Sequence, residues 1–214
     1  MYTIPYYGTY ARFDTASKKD GAVLMNADCI VGDRFTVEID RDKGERTAWL
    51  VNRFGTRVGY LDEETTYRAS LCAAQDWRMV ALLSFVAFSE QPEPGIYWGQ
   101  IAFISYDPKS AEIVEPFIER VGKLLGEGIR PVVNLDEVDF SHLKNDAQTW
   151  MPSGRAELPP KQKGTVILKS REKFSEKLIE QGRKKNIGCY IVSWAFLLAV
   201  VAAFIFSLRS CGVI

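Results

Sequence analysis

Residues Arg46 to Leu61, RTAWLVNRFGTRVGYL, read as a β-hairpin. Arg46–Val51 is one strand and Thr56–Leu61 the return. Asn52-Arg-Phe-Gly55 is the tight turn between them, with Gly55 free to take a positive φ. Trp49 and Val51 are expected on one face, and Val58 and Tyr60 on a facing one. Gly59, inside the return strand, marks a bulge or a close backbone approach. Upstream, Arg34–Asp40 (RFTVEID) alternates as a strand and Asp42-Lys-Gly-Glu45 turns into the hairpin. Downstream, Asp62 is placed to cap a short helix through about Ala74, with Glu63 and Glu64 in its first turn. Met79–Phe88 and Ile96–Tyr106 are apolar, strand-forming runs around a Pro-containing turn. Short strands around one small helix predict an α+β chain built on a small, mostly antiparallel, SH3-like β-barrel with packed helices.

Around that barrel, assigned to residues 22–106, the chain divides by composition. Residues 1–21 form an aromatic N-terminal segment with Tyr2, Tyr6, Tyr7, Tyr10 and Phe13, expected to cover a core edge. Residues 107–150 are a helical extension packed on the barrel. In it Ile113, Phe117, Val121 and Leu124 recur at three- and four-residue steps, with Pro116 at the start or at a kink. Leu135–Ala147 is acidic and weakly periodic, and His142, the single histidine, falls there in a turn-like stretch. Residues 151–164 are a Pro/Gly linker and 165–186 a basic juxtamembrane helix with Ile167, Phe174 and Leu178 on one stripe.

Ile187–Leu208 (IGCYIVSWAFLLAVVAAFIFSL) carries no charge over 22 residues. As a helix it reaches roughly 33 Å, enough for a hydrocarbon core of about 30 Å. Tyr190 and Trp194 fit an aromatic belt near its N-terminal end. Lys161, Lys163, Lys169, Arg171, Lys173, Lys177, Arg183, Lys184 and Lys185 precede it, and only Arg209 follows. The expectation is a single-pass, tail-anchored membrane protein, with the N-terminal domain cytoplasmic and the short tail 209–214 outside the cytoplasm. Lys169, Arg171, Lys173, Lys177, Arg183, Lys184 and Lys185 would lie at the membrane surface and attract anionic lipid.

The zero net charge conceals a split. Residues up to Pro160 carry 17 basic and 24 acidic side chains, whereas Lys161–Lys185 carry 9 and 3. A chain-wide basic surface for duplex nucleic acid is excluded. Cys29, Cys72, Cys189 and Cys211 make no CxxC, and with one histidine they offer no close-spaced zinc set. No phosphate-loop or dinucleotide fingerprint occurs. Asp40, Asp42 and Glu45 could gather at a hairpin tip, but they fit no EF-hand spacing. No nucleophile, base and orienting group share one credible site. The chain is therefore expected not to be an enzyme and to need no cofactor or metal, with no small-molecule substrate. Its partners would be membrane lipid and a cytoplasmic protein. The hairpin residues Arg46, Trp49, Arg53, Arg57 and Tyr60 are the candidate binding surface.

Residues 32 to about 88 resemble the HIRAN domain. Gly55-Thr-Arg-Val-Gly-Tyr-Leu61 is similar to that family's Gly-x-x-Val-Gly-Tyr-Leu/Val and is likewise followed by an acidic helix start. Upstream, Ala48 and Val51 match the family's Asn-Pro-Tyr-Asp-x-x-Ala-x-x-Val, Glu45 and Asp42 replace its Asp and Asn, and the Pro-Tyr pair is absent. The resemblance covers about a quarter of the chain. It implies a small β-barrel and, as an alternative function, a membrane-tethered nucleic-acid-binding module.

Overall fold

A computed structural model describes residues 4–171, except positions 28, 43, 44, 92, 94, 161 and 162 and the side chains of residues 42 and 45. The expected membrane span, the short tail and the basic positions Lys173, Lys177, Arg183, Lys184 and Lys185 lie outside the described residues. Among the described residues no helix is long and apolar enough to cross a membrane.

Six antiparallel strands close into a barrel: β1 (Tyr6–Asp14), β2 (Arg34–Asp42), β3 (Glu45–Val51), β4 (Arg57–Leu61), β5 (Arg78–Ser89) and β6 (Ile96–Tyr106). Their order around the barrel is β2-β3-β4-β1-β6-β5, and β5 returns to β2 through Val80–Leu82. A seventh strand, β7 (Thr165–Lys169), pairs with the second half of β5, from Val86 to Ser89. The helices are α1 (Lys18–Met25), α2 (Glu63–Ala74), α3 (Ala111–Gly126) and α4 (Glu137–Asn145). The expected α+β barrel is therefore present.

Alternation sorts β1, β5 and β6 between two cores, while β2, β3 and β4 contribute only to the barrel interior. Phe13, Leu50, Val58, Leu83, Ile101 and Phe103 point into the barrel. Tyr6, Val80, Leu82, Ala102 and Ile104 point out and are covered by α3 and by Val133, Leu135, Phe140 and Leu143. Val114, Phe117, Ile118, Val121 and Leu125 of α3 are buried there. At about 1.5–3 kcal/mol per side chain, that burial is worth on the order of 10 kcal/mol before entropy. Pro116 lies inside the helix, not at its start. Its missing N–H costs roughly 3 kcal/mol, which the burial on either side outweighs. Arg34 donates to both Glu115 oxygens, at 2.7 and 3.0 Å, and ties α3 to β2. That pairing, with a hydrogen bond from Tyr106, holds the Glu115 carboxyl below the usual range against the opposing effect of burial.

The hairpin forms as the sequence indicates, with a bulge. Trp49 pairs with Tyr60 and Leu50 with Gly59, but Val51 pairs with Arg57, so Val58 is the extra residue. The shift breaks the simple alternation: Trp49 stays half-buried outside, while Val51 and Val58 are both buried. Asn52 holds the turn by accepting from the N–H groups of Phe54 (3.0 Å) and Thr56 (2.9 Å). Gly55 has φ +76°, and an added Cβ would meet nothing within 4 Å. Gly55→Ala is thus expected to cost about 1 kcal/mol through backbone strain alone. Gly55→Asn should recover most of that loss in thermal melts, because Asn tolerates the left-handed region.

Four sequence-based expectations are corrected. Residues 6–14 are not an appended segment but a barrel strand, fully paired with β6 from Tyr6 to Asp14. The barrel, assigned to residues 22–106, does not begin at Ala22, because Ala22–Met25 continue α1, whose N-cap Ser17 accepts from the Asp20 N–H. The acidic stretch with His142 is helix α4, capped by Asp136, and His142 stacks on Trp150 with ring centroids 6.1 Å apart. Residues 165–169 are strand, not basic helix. The β-branched run Thr165-Val-Ile suits the free flank of β5, and Ile167 packs beside Phe85, Ala87 and Trp98.

Candidate functional site

The five hairpin residues fall in three places. Trp49, Arg57 and Tyr60 come together on the outer face of β3 and β4: the Trp49 and Tyr60 rings meet edge-on at 5.7 Å and the Arg57 guanidinium lies 5.2 Å from the Trp49 ring centre. Arg53 sits at the turn, over the exposed Phe54 ring and beside a cavity of about 230 Å³ shared with Asp33, Arg34, Phe35 and Asn52. Arg46 is exposed at the far end of β3, opposite Arg41. Arg57 is also paired with Asp40 at 3.0 Å and with Glu38 at 3.6 Å. Of the three acidic residues expected at the hairpin tip, Asp40 is engaged in this way, and the side chains of Asp42 and Glu45 lie outside the described residues.

The strand register extends the Trp49–Tyr60 pair into a row across the whole sheet. Glu38 faces Trp49, Trp49 faces Tyr60, Tyr60 faces Asp14, Asp14 faces Trp98, Trp98 faces Ala87, and Ala87 faces Ile167. The row lies beyond the end of the face that α3 covers. Each of its tryptophans carries an arginine. Arg57 is over Trp49, and Arg12, paired with Asp14 at 2.9 Å, is 4.4 Å from the Trp98 ring centre. Trp98 and Ala87 are buried, at 7% and 0% exposure, so the part of the row open to a partner runs from Glu38 through the half-buried Trp49 and Tyr60 to Asp14. That part sets aromatic edges beside charges of both signs, the composition found at protein-binding surfaces.

Two hollows flank the row. β1 pairs with β4 only through Phe13 and Asp14, so the rest of that edge borders a cleft of about 620 Å³. Tyr7, Tyr10, Arg12, Gln100, Arg68 and the acidic start of α2 line it. Asp62 there is a cap, accepting from the Thr65 N–H at 2.7 Å, as its position in the sequence indicates. At the other end, Phe85, Trp98 and Ile167 floor a cavity of about 400 Å³ under Leu158, Pro159 and Pro160. The sequence reading missed Arg12, Asp14, Trp98 and Ile167. They lie on three separated strands, β1, β6 and β7, and only strand pairing brings them together.

Of the basic positions expected at the membrane surface, Arg171 is exposed and Lys169 is not. Lys169 is 4% exposed, and its ammonium donates to the carbonyls of Leu24 (3.3 Å), Asn26 (3.1 Å) and Cys29 (2.7 Å). It caps the end of α1 and is unavailable to lipid.

Tyr10 donates to the Pro131 carbonyl at 2.8 Å, and burial pushes its hydroxyl up to about 12 despite the nearby Arg130. Tyr6 is raised by burial in the same sense. Both phenols favour the folded state while protonated. The stabilisation from Tyr10 is complete below the ordinary tyrosine pKa near 10 and is lost as pH rises through about 12, and that from Tyr6 is lost in the same direction. The melting temperature is expected to fall across that window. Tyr10→Phe should cost about 1 kcal/mol at neutral pH and shrink the alkaline fall.

Comparison with protein-family models, with curated proteins and with solved structures gave no match to this chain.

Proposed function

We propose that the chain is a membrane-tethered binding protein that presents its barrel to a cytoplasmic protein partner. The observation that carries this reading is the stretch of the row from Glu38 to Asp14, with Trp49 and Tyr60 in contact, Arg57 over Trp49 and a mixture of charges. Interfaces draw most of their affinity from such Trp, Tyr and Arg anchors. The pairing of Arg57 with Asp40 and Glu38, and of Arg12 with Asp14, favours a polypeptide over a phosphate chain. The tether is supported by the uncharged 22-residue run from Ile187 to Leu208 and by the basic excess before it. The HIRAN resemblance supplies the alternative, a tethered nucleic-acid module.

The test is affinity capture of the full chain in detergent, quantified by mass spectrometry for wild type and Trp49→Ala/Tyr60→Ala. Retention of one specific protein, reduced at least tenfold by the double variant at unchanged melting temperature, is expected. Salt-sensitive binding of single-stranded DNA, with no protein retained, would establish the alternative instead.

A further inference from the structure

Arg130 is a half-buried guanidinium whose position the fold makes costly. It lies 4.2 Å from the Tyr10 ring centre and 5.6 Å from that of Phe85. Its terminal nitrogens donate to Ser84 Oγ, to Gln100 Oε1 at 2.9 Å and to the Glu157 carbonyl at 3.4 Å. All three are neutral acceptors. Among the described residues no carboxylate pairs with it, and its Nε is buried without a hydrogen-bond partner. A charge removed from water without a counter-charge is unfavourable unless something else supplies one.

The neighbouring hollow offers the rest of a site. Phe85, which Arg130 overlies, and Trp98 meet edge-on at 5.6 Å and form the floor of the 400 Å³ cavity. Leu158, Pro159, Pro160, Val166 and Ile167 enclose it, and Thr165 and Ser170 add hydroxyls. That volume is within the range of small-molecule sites, which combine apolar walls with a few fixed polar groups. Arg12, over the Trp98 ring, already has Asp14, so the nearest charge without a counter-charge is that of Arg130. Arg130 does not line the cavity but lies against the Phe85 ring and bonds the Glu157 carbonyl, next to the lining residue Leu158.

We infer that the cavity binds a small hydrophobic carboxylate, with its apolar body on Phe85, Trp98 and Ile167 and its carboxylate accepting from Arg130. An aliphatic or an aromatic acid meets that description equally, and neither depends on the protein partner proposed above.

The experiment uses the full chain in lipid nanodiscs and quenching of tryptophan fluorescence by 10-bromodecanoate and by 4-(4-bromophenyl)butyrate, each beside its uncharged methyl ester. Saturable quenching that disappears in Trp98→Phe is expected for at least one acid, and the acid that gives it identifies the source. The matching ester should bind at least tenfold more weakly, and Arg130→Gln should lose the same factor. The ester comparison stands even where Arg130→Gln perturbs folding, because it leaves the protein unaltered. Equal binding of acid and ester, quenching that survives Trp98→Phe, or no saturable quenching by either acid would overturn the assignment.

Discussion

Lys169→Met is expected to destabilise the protein by about 3 kcal/mol, although sequence reading places this lysine on a solvated basic helix. Met keeps the apolar stem and removes the ammonium. The carbonyls of Leu24, Asn26 and Cys29 then lose a charged donor in a buried setting. Hydrogen bonds to charged groups contribute about 1.5–3 kcal/mol each, and an orphaned buried acceptor costs about 1–3. Relief from burying the ammonium offsets part of that sum. The damage should also travel, because Lys169 pairs opposite Val86 and ties the end of β7 to the end of α1. Denaturant unfolding followed by tryptophan fluorescence measures the loss. Lys163→Met, at an exposed position, should move the midpoint by less than about 0.5 kcal/mol. Equal, small effects at both positions would return Lys169 to the surface.

Gly59→Val should cost about 3 kcal/mol, by a different mechanism from Gly55. A Cβ at Gly59 would stand 2.7 Å from Phe13 Cδ2 and 2.8 Å from the Asp14 carbonyl oxygen. Phe13 is fully buried in the barrel, and the carbonyl is backbone at the one place where β1 meets β4. Neither can swing aside, so the strands must part. Val is otherwise the better strand former, which makes the sign informative. Thermal melts should order the variants wild type, Gly55→Ala, Gly59→Ala, Gly59→Val from most to least stable. A Gly59→Val protein that melts like wild type but loses its partner would assign this glycine to binding instead of to the fold.

These two residues also show what the sequence reveals and what it conceals. Gly59 was legible: a glycine in a strand signals close approach, and the close approach is there. The hairpin, the Asp62 cap, both long strands and the amphipathic α3 were legible for the same reason, since each is written in local periodicity or turn chemistry. Lys169 was not legible. Ile167, Phe174 and Leu178 share a helical spacing, while the competing fact, a flank of β5 in need of a partner, is set by residues about eighty positions earlier. α1 was missed although Ser17 and Asp20 stand at capping-box spacing, because Ala22–Met25 alone has no clear period. The candidate surface divides in the same way. Trp49, Arg57 and Tyr60 belong to one hairpin and were found together. Arg12, Asp14, Trp98 and Ile167 join them only through register between strands distant in sequence, and no spacing rule carries that information.

In the proposed function, the row from Glu38 through Trp49 and Tyr60 to Asp14 meets a protein partner. The most direct measurement replaces Tyr60, in the middle of that row, with a photoreactive phenylalanine in the full chain expressed in its own cells. A matched replacement is made at Glu112, on the surface of α3. Irradiation is expected to give one discrete protein adduct from position 60 and none from position 112, with the adduct lost when Trp49→Ala is added. No adduct from position 60, the same adducts from both positions, or an adduct to nucleic acid would contradict the account.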